Sequence, residues 1–93
     1  MSEKACVFMV VSGVVQGVGF RFFAVRKAKE FGLTGWVRNT FEGTVESEVE
    51  GEKGSILEYI KDLKAGPGGA KIKDVKVEWR EFQNRYSDFQ ITW

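Results

Sequence analysis

The pattern of apolar and polar positions changes period several times along the chain, and each change predicts a new element. Residues 5–12 (ACVFMVVS) are apolar in both alternating sets, which predicts a strand that is covered on both faces or central in its sheet. Residues 20–31 instead show a helical period, whose apolar face comprises Phe20, Phe23, Ala24, Ala28 and Phe31. Gly32 predicts the end of this helix, with Leu33 as the hydrophobic partner of a glycine cap.

Two short strands follow, and a hairpin joins them. Residues 35–39 and 44–50 have the character of strands, and they flank the turn 40–43, whose length and terminal glycine fit a hairpin loop. The second strand alternates between a small or apolar set and an acidic set. The two sets are Val45, Ser47 and Val49 on one face and Glu46, Glu48 and Glu50 on the other. We expect the glutamate face to see water.

The C-terminal half predicts one more helix and two more strands. Residues 55–58 (SILE) have the pattern of a capping box that opens the helix, although the helix can begin a residue or two earlier. Its apolar stripe is Ile56, Tyr59, Ile60 and Leu63, and residues 66–69 (GPGG) end it. A strand over 72–82 would place Val75, Val77 and Trp79 on one face. After a polar turn at 83–87, the last strand would bury Phe89, Ile91 and Trp93.

Up to residue 82 the predicted order of elements is β-α-β-β-α-β, and the chain has no internal repeat or linker. This order is typical of the ferredoxin-like sandwich, in which two helices pack on one face of a four-stranded antiparallel sheet. We therefore predict an α+β fold in which residues 1–93 form a single domain. Because this fold hosts many unrelated functions, the function has to be argued from the residues of a site.

Composition and charge narrow the function classes. A net charge of +1 argues against a nucleic-acid partner, and a hydrophobic share of 43% indicates a globular chain. Cys6 is the only cysteine in the sequence, which excludes an internal disulfide and suggests a reducing compartment. We expect its side chain to be a small buried hydrophobe. With no histidine, we expect no metal site. We see neither a signal-peptide core nor about 18 consecutive apolar residues, so we expect a cytoplasmic protein with no membrane partner.

Residues 11–21 (VSGVVQGVGFR) combine a strand end, three glycines and a helix start. The glycines, Gly13, Gly17 and Gly19, allow positive φ and the close approach of a ligand. A first helical turn has N–H groups without intrahelical partners, and these attract anions together with the helix dipole. Arg21 adds a planar guanidinium that suits phosphate oxygens. The stretch lacks the dinucleotide and P-loop motifs, so a second interpretation stays open: a tight turn with Arg21 as a solvated charge.

Two stretches of the chain resemble the two signatures of the acylphosphatase family. They are VSGVVQGVGFR at 11–21 and GWVRNTFEGTV at 35–45, the latter followed after five residues by Gly51. The helix exit at Gly66 and Pro67, with Ala70 after it, and the closing strand are similar as well. The resemblance thus spans essentially the whole chain. It implies a freestanding enzyme that hydrolyses carboxyl-phosphate anhydrides without a metal or another cofactor.

The resemblance also implies roles for individual residues. Arg21 would hold the phosphate of a small acyl phosphate, and Asn39 would place the attacking water. The other phosphate-binding positions would be Gln16, Gly17, Val18, Gly19 and Phe20. Inorganic phosphate or sulfate can be expected in the same site, and we expect a monomer. Glu42 stands where the family more often has Asp, at a turn position where we expect altered turn geometry rather than altered chemistry.

Three other functions remain as alternatives. The first is a noncatalytic or regulatory anion-binding domain of the same fold, which a turnover assay with benzoyl phosphate would distinguish. The second is an RNA-binding module, which normally stacks bases on aromatic residues of the central strands. The strand at 44–50 has no aromatic residue and three glutamates, which disfavours that function. The third is a carbamoyl-phosphate-handling unit fused to a larger enzyme, against which the end of the chain at Trp93 speaks.

Overall fold

The computed structural model describes residues 3–92 and shows an α+β fold with five strands and two helices in that range. The strands are β1 (Lys4–Val14), β2 (Thr34–Asn39), β3 (Val45–Glu52), β4 (Lys71–Arg80) and β5 (Phe89–Ile91). The helices are α1 (Phe20–Glu30) and α2 (Lys53–Ala65). Within the described range, no helix has the length and apolar character needed to cross a membrane.

The strands form one sheet in the order β4-β1-β3-β2-β5, with β1 in an interior position as predicted. The first four pair antiparallel, whereas β5 pairs parallel to β2. The expectation of four strands, all antiparallel, is therefore wrong in one respect. The short β5 lies beside β2, where Gly35 N–H donates to Asp88 O at 2.9 Å and Thr92 N–H donates to Val37 O at 2.9 Å. Periodicity predicts that a strand forms but not which edge it joins. Trp93 lies outside the described residues.

Both helices pack on one face of the sheet and enclose the hydrophobic core with it. The predicted apolar stripe of α2 is confirmed, and so are the buried positions Phe20, Ala24 and Ala28 of α1. β1 and β3 supply the facing residues, among them Val7, Met9, Val11, Val45 and Val49. The glycine cap of α1 is also confirmed: Gly32 has φ +69°, and Leu33 N–H donates to Ala28 O at 2.8 Å.

The predicted capping box of α2 is wrong. The helix begins at Lys53, directly after β3, so that Ser55 already lies in its first turn. In the described chain, no side chain caps this end of α2. The Lys53 N–H donates instead to Glu3 O at 2.8 Å. A neighbouring backbone carbonyl thus satisfies one of the donors that a capping side chain would otherwise bind.

The face of the sheet opposite the helices also departs from expectation. Glu48 is 2% exposed and Glu50 is 1% exposed, so the prediction that the glutamate face sees water is wrong for both. Residues 81–88, which we call the covering segment, lie over them. Glu50 accepts hydrogen bonds from the backbone N–H groups of Gln83 and Arg85, each at 2.8 Å. The sequence 83–87 is therefore more than a polar turn, because its backbone binds a buried carboxylate.

Glu48 is the centre of a second set of contacts beneath the covering segment. Its Oε2 accepts a hydrogen bond from Arg80 Nη1 at 2.6 Å, and its Oε1 accepts hydrogen bonds from Arg85 and Tyr86. Phe8 and Trp36 flank Glu48 on the neighbouring strands. Burial raises the pKa of Glu48, but the hydrogen bonds from Tyr86 and Arg80 and the charge of Arg85 outweigh burial, so its pKa lies below the ordinary value.

Candidate active site

The loop between β1 and α1 is shorter than the sequence suggested. β1 continues through Gly13 to Val14, with a change of register between Ser12 and Gly13. Gly13 has φ +124°, and a Cβ there would lie 2.1 Å from the carbonyl oxygen of Lys71. This glycine is therefore required for the close approach of β1 to β4 and not for the loop. The loop itself comprises residues 15–19, in which Gly17 and Gly19 both have φ +76°.

The start of α1 is suited to an anion. Gly19 is the N-cap in a left-handed conformation, and the first turn carries no acidic residue. In the described part of the chain, no side chain makes a capping hydrogen bond there. The Phe23 N–H donates to Gly19 O at 3.0 Å and begins the intrahelical ladder. The N–H groups before it therefore lack a carbonyl within the helix, and they give this end a partial positive charge.

The side chain of Gln16 ties this loop to the β2–β3 hairpin. Its Nε2 donates to Thr40 O at 2.8 Å and to Thr44 O at 2.9 Å. Both carbonyls lie next to the strand ends that the hairpin joins, so the amide spans the hairpin neck. Gln16 was predicted only as a phosphate-binding residue, and its contact with the hairpin was not predicted. A glutamine in a glycine loop carries no sequence signal for a partner more than twenty residues away.

Asn39 ends β2 on the helix side of the sheet. It pairs with Val45, and it shares its face with the buried Val37 two residues earlier. Its side-chain oxygen, Oδ1, is buried and has no hydrogen-bond partner within residues 3–92. Buried polar side-chain atoms normally have a partner, so an unpaired oxygen at this place is compatible with a ligand or a water.

One cavity brings the two predicted catalytic residues together. It measures about 180 Å³, and its lining residues are Val15, Gly17, Gly19, Phe20, Arg21, Phe22 and Asn39. The predicted site residues Gln16 and Val18 do not line this cavity in the structure of residues 3–92. Val15 and Phe22 line it although neither was predicted as a site residue. Both are apolar, and neither carries a sequence signal that distinguishes it from a core residue.

A second, larger cavity lies at the hairpin. It measures about 410 Å³, and it is lined by Arg38, Asn39, Thr40, Phe41, Glu42 and Glu46. Arg38 donates to Glu46 Oε1 with a distance of 2.7 Å from Nη2, so these two charges are paired. Glu42, the departure from the usual Asp, lies exposed in the hairpin turn. Asn39 therefore lines both cavities: the smaller one at the start of α1 and the larger one at the hairpin, which contains Glu42 and Glu46.

Comparison with known proteins defines the class. The family model described as Acylphosphatase matches residues 7–91. An acylphosphatase of Chlorobaculum tepidum is 42% identical over 91 residues, which is 98% of each chain. The solved acylphosphatase structure from Coxiella burnetii is 40% identical with a TM-score of 0.91, and it covers 96% of this chain and 93% of its own. That from Bacillus subtilis is 31% identical with a TM-score of 0.93, and it covers 96% and 99%.

The chain belongs to the acylphosphatase family. It is a hydrolase that acts on acyl phosphates, small molecules in which a carboxyl group is joined to a phosphate. The family resemblance of the two sequence motifs is thereby confirmed. The roles of individual residues stay predictions.

Proposed function

We propose that the cavity of about 180 Å³ binds the phosphate group of the acyl phosphate. The backbone N–H groups of residues 16–21 and the guanidinium of Arg21 hold the phosphate oxygens. Asn39 orients the water that attacks phosphorus. The bond between phosphorus and the bridging oxygen breaks, and the products are a carboxylate and inorganic phosphate. Inorganic phosphate or sulfate can occupy the same place.

One observation carries this proposal: Arg21 and Asn39 line the same cavity, and the buried Oδ1 of Asn39 has no partner in residues 3–92. The start of α1 supports it, because its first residues, Phe20, Arg21 and Phe22, line the cavity together with Gly17 and Gly19 of the loop. A phosphate dianion receives both charge-assisted hydrogen bonds and the field of the helix there. The volume equals that of about six water molecules, which is enough for a phosphate group and a water.

The chemistry requires few side chains. The leaving group is a carboxylate, whose conjugate acid has a pKa of about 4, so it departs as a stable anion without a general acid. Phosphoryl transfer proceeds through a largely dissociative transition state with charge on the equatorial oxygens, and positioning and electrostatics supply most of the catalysis. Arg21 and fixed backbone donors provide both. The absence of histidine from the sequence is compatible with this mechanism.

Asn39 acts on the water and not on the phosphate. Its amide is no base near neutral pH, but its Oδ1 accepts a hydrogen bond from a water and thereby directs a lone pair of that water. The proton of the water passes to the phosphate of the substrate or to solvent. Phosphate binding and water attack therefore depend on different residues.

The substitution Asn39→Ala tests this division. We expect kcat with acetyl phosphate to fall about a hundredfold, as for the loss of one positioned polar group. Phosphate binding measured by calorimetry stays within about threefold, because the groups that hold phosphate are retained. Gln90→Ala, an exposed polar residue on β5, is the control and keeps both values. Loss of phosphate binding in Asn39→Ala would contradict the division of roles.

We also propose that the protein acts as a monomer in the cytoplasm. The edge strand β4 carries Lys71, Lys73 and Lys76, and lysines on an edge strand disfavour pairing with a second sheet. Cys6 is buried and free, which fits a reducing compartment, and burial, together with Glu48 and Glu50, raises the pKa of its thiol. Sedimentation equilibrium and cell fractionation test the two statements.

A further inference from the structure

Phe22 is an aromatic residue that the core does not use. It lies in the first turn of α1, between Arg21 and Phe23, and its side chain is outside the buried stripe of that helix. It is 72% exposed, and it nevertheless lines the cavity that contains Arg21 and Asn39. A residue that is both exposed and part of the lining lies at the mouth of the cavity. Five large apolar side chains are exposed within residues 3–92, namely Val14, Phe22, Phe41, Leu57 and Trp79, and of these only Phe22 lines this cavity.

We propose that Phe22 is a specificity-determining residue, against whose ring the acyl group of the substrate packs. This inference rests on the proposed function, since it takes the phosphate to be in the cavity. A single oxygen joins the phosphorus to the acyl carbon, so the acyl group begins at the mouth once the phosphate is bound. The substrate class follows: uncharged acyl groups with an aromatic or bulky aliphatic body are preferred over small ones.

The charges around the two cavities support this direction for the acyl group. The cavity that Phe22 lines has no acidic residue among its lining side chains in the described chain. The hairpin cavity has Glu42 and Glu46, and within residues 3–92 Glu46 is paired with Arg38 whereas Glu42 has no ion-pair partner. An acyl carboxylate that forms as the bond breaks is repelled by the uncompensated charge of Glu42. A route past Phe22 avoids that repulsion and removes apolar surface from water.

The test compares two substrates in one variant. Phe22→Ala is expected to lower the ratio of kcat/KM for benzoyl phosphate to kcat/KM for acetyl phosphate by about tenfold, the size of a typical apolar-pocket effect. Most of the change appears in the KM for benzoyl phosphate, because the ring contact exists in the ground state and in the transition state alike. Phe22→Tyr keeps the ratio within about twofold.

Leu57→Ala is the matched control, because Leu57 is 51% exposed on α2 and lines neither cavity. Its substrate ratio stays at the wild-type value. Phe22→Leu is a second test variant, which keeps an apolar side chain but removes the ring. We expect its ratio of kcat/KM for benzoyl phosphate to kcat/KM for acetyl phosphate to fall by about threefold. Melting curves show whether each variant is folded, and a ratio is insensitive to the fraction of folded enzyme.

Two outcomes overturn the assignment of Phe22. One is an unchanged ratio in folded Phe22→Ala or Phe22→Leu, and the other is a changed ratio in Phe41→Ala with none in the Phe22 variants, which would place the acyl group over the hairpin. Arg21→Lys separates this failure from that of the proposed function. If Arg21→Lys loses acetyl phosphate turnover while the Phe22 ratio is unchanged, only the specificity assignment fails.

Discussion

Buried polar groups on opposite faces of the sheet differ in whether side chains and backbone of residues 3–92 supply their hydrogen-bond partners. Under the covering segment, the carboxylates of Glu48 and Glu50 accept hydrogen bonds from four residues, Arg80, Gln83, Arg85 and Tyr86. On the helix side, Asn39 Oδ1 has no partner in the described chain. The two carboxylates thus have hydrogen-bond partners within the chain, whereas the amide oxygen of Asn39 lacks one in residues 3–92.

This difference separates stability from activity. A buried polar network that is fully paired fixes one arrangement of the chain, and the loss of one member leaves its partners unsatisfied. A buried acceptor without a protein partner instead costs stability, and a water or ligand bound beside it supplies the missing hydrogen bond. We therefore expect substitutions of Arg21 and Asn39 to alter turnover, and substitutions under the covering segment to alter stability.

The largest expected effect is that of Arg21→Lys on turnover. Lysine keeps the charge but lacks the planar fork that binds two phosphate oxygens at once. We expect kcat/KM for acetyl phosphate to fall about a hundredfold to a thousandfold. The free energy of unfolding, measured in urea, stays within about 0.5 kcal/mol of the wild type, as for most substitutions outside the core. Equal turnover by variant and parent would refute the role of Arg21.

The next effect concerns stability on the opposite face. Glu48→Ala removes a carboxylate that is 3% exposed as a side chain, and it deprives Arg80, Arg85 and Tyr86 of their acceptor. Loss of one member of a buried charge pair costs about 3–5 kcal/mol. Because both arginines are half-exposed and regain hydration, we expect the free energy of unfolding to fall by a smaller amount, about 2–3 kcal/mol. Turnover per folded molecule is unchanged.

Glu78→Ala is the control for that substitution. Glu78 binds the same Arg80 at 3.1 Å but is 61% exposed, so its removal is expected to change the free energy of unfolding by at most about 0.5 kcal/mol. Equal destabilisation by the two substitutions would show that burial of Glu48 has no special importance. A loss of turnover in folded Glu48→Ala would remove the separation between the two faces.

A smaller effect is expected from pH. Because the folded pKa of Glu48 lies below its ordinary value of 4.5, its ionised form contributes stability at neutral pH that is lost as the pH falls below 4.5. Glu48→Gln lacks this contribution at every pH. We expect the wild type to be more stable than Glu48→Gln by about 1 kcal/mol at pH 7, the difference between charged and neutral hydrogen bonds. Urea titrations should show this advantage decreasing toward pH 3, and a constant difference would contradict it.

Most of the fold could be predicted from local patterns. The helix stripes, the end of α1 at Gly32 and the hairpin all follow from spacing within a few residues. The burial of Glu48 and Glu50 could not be predicted, because alternation shows which residues share a face but not what covers it. The covering segment is more than thirty residues further along the chain, and its polar sequence carries no sign that its backbone binds carboxylates. The edge that β5 joins was unpredictable for the same reason.

The site was predictable in part. Family motifs selected Arg21 and Asn39, and the structure brings them into one cavity. Residues 11–21 indicate an anion site, but their glycines also fit a purely steric explanation. Gly13 shows that this explanation was correct for one of the three glycines, since it lies in β1 against Lys71. Phe22 could not be selected, because an exposed phenylalanine and a buried one look alike in a sequence.

The two hydrogen bonds from the side chain of Gln16 have a consequence for how the protein can vary. They join the loop 15–19 to both ends of the β2–β3 hairpin, so that the position of Arg21 relative to Asn39 depends on the carbonyls of Thr40 and Thr44. Catalysis by fixed dipoles tolerates little displacement. Insertions within the turn between Phe41 and Gly43 leave both hydrogen bonds of Gln16 in place. Insertions at Thr40 or Thr44 break them. We therefore expect the enzyme to tolerate an insertion in the turn and to lose turnover when the insertion lies one or two residues away, at the hairpin neck.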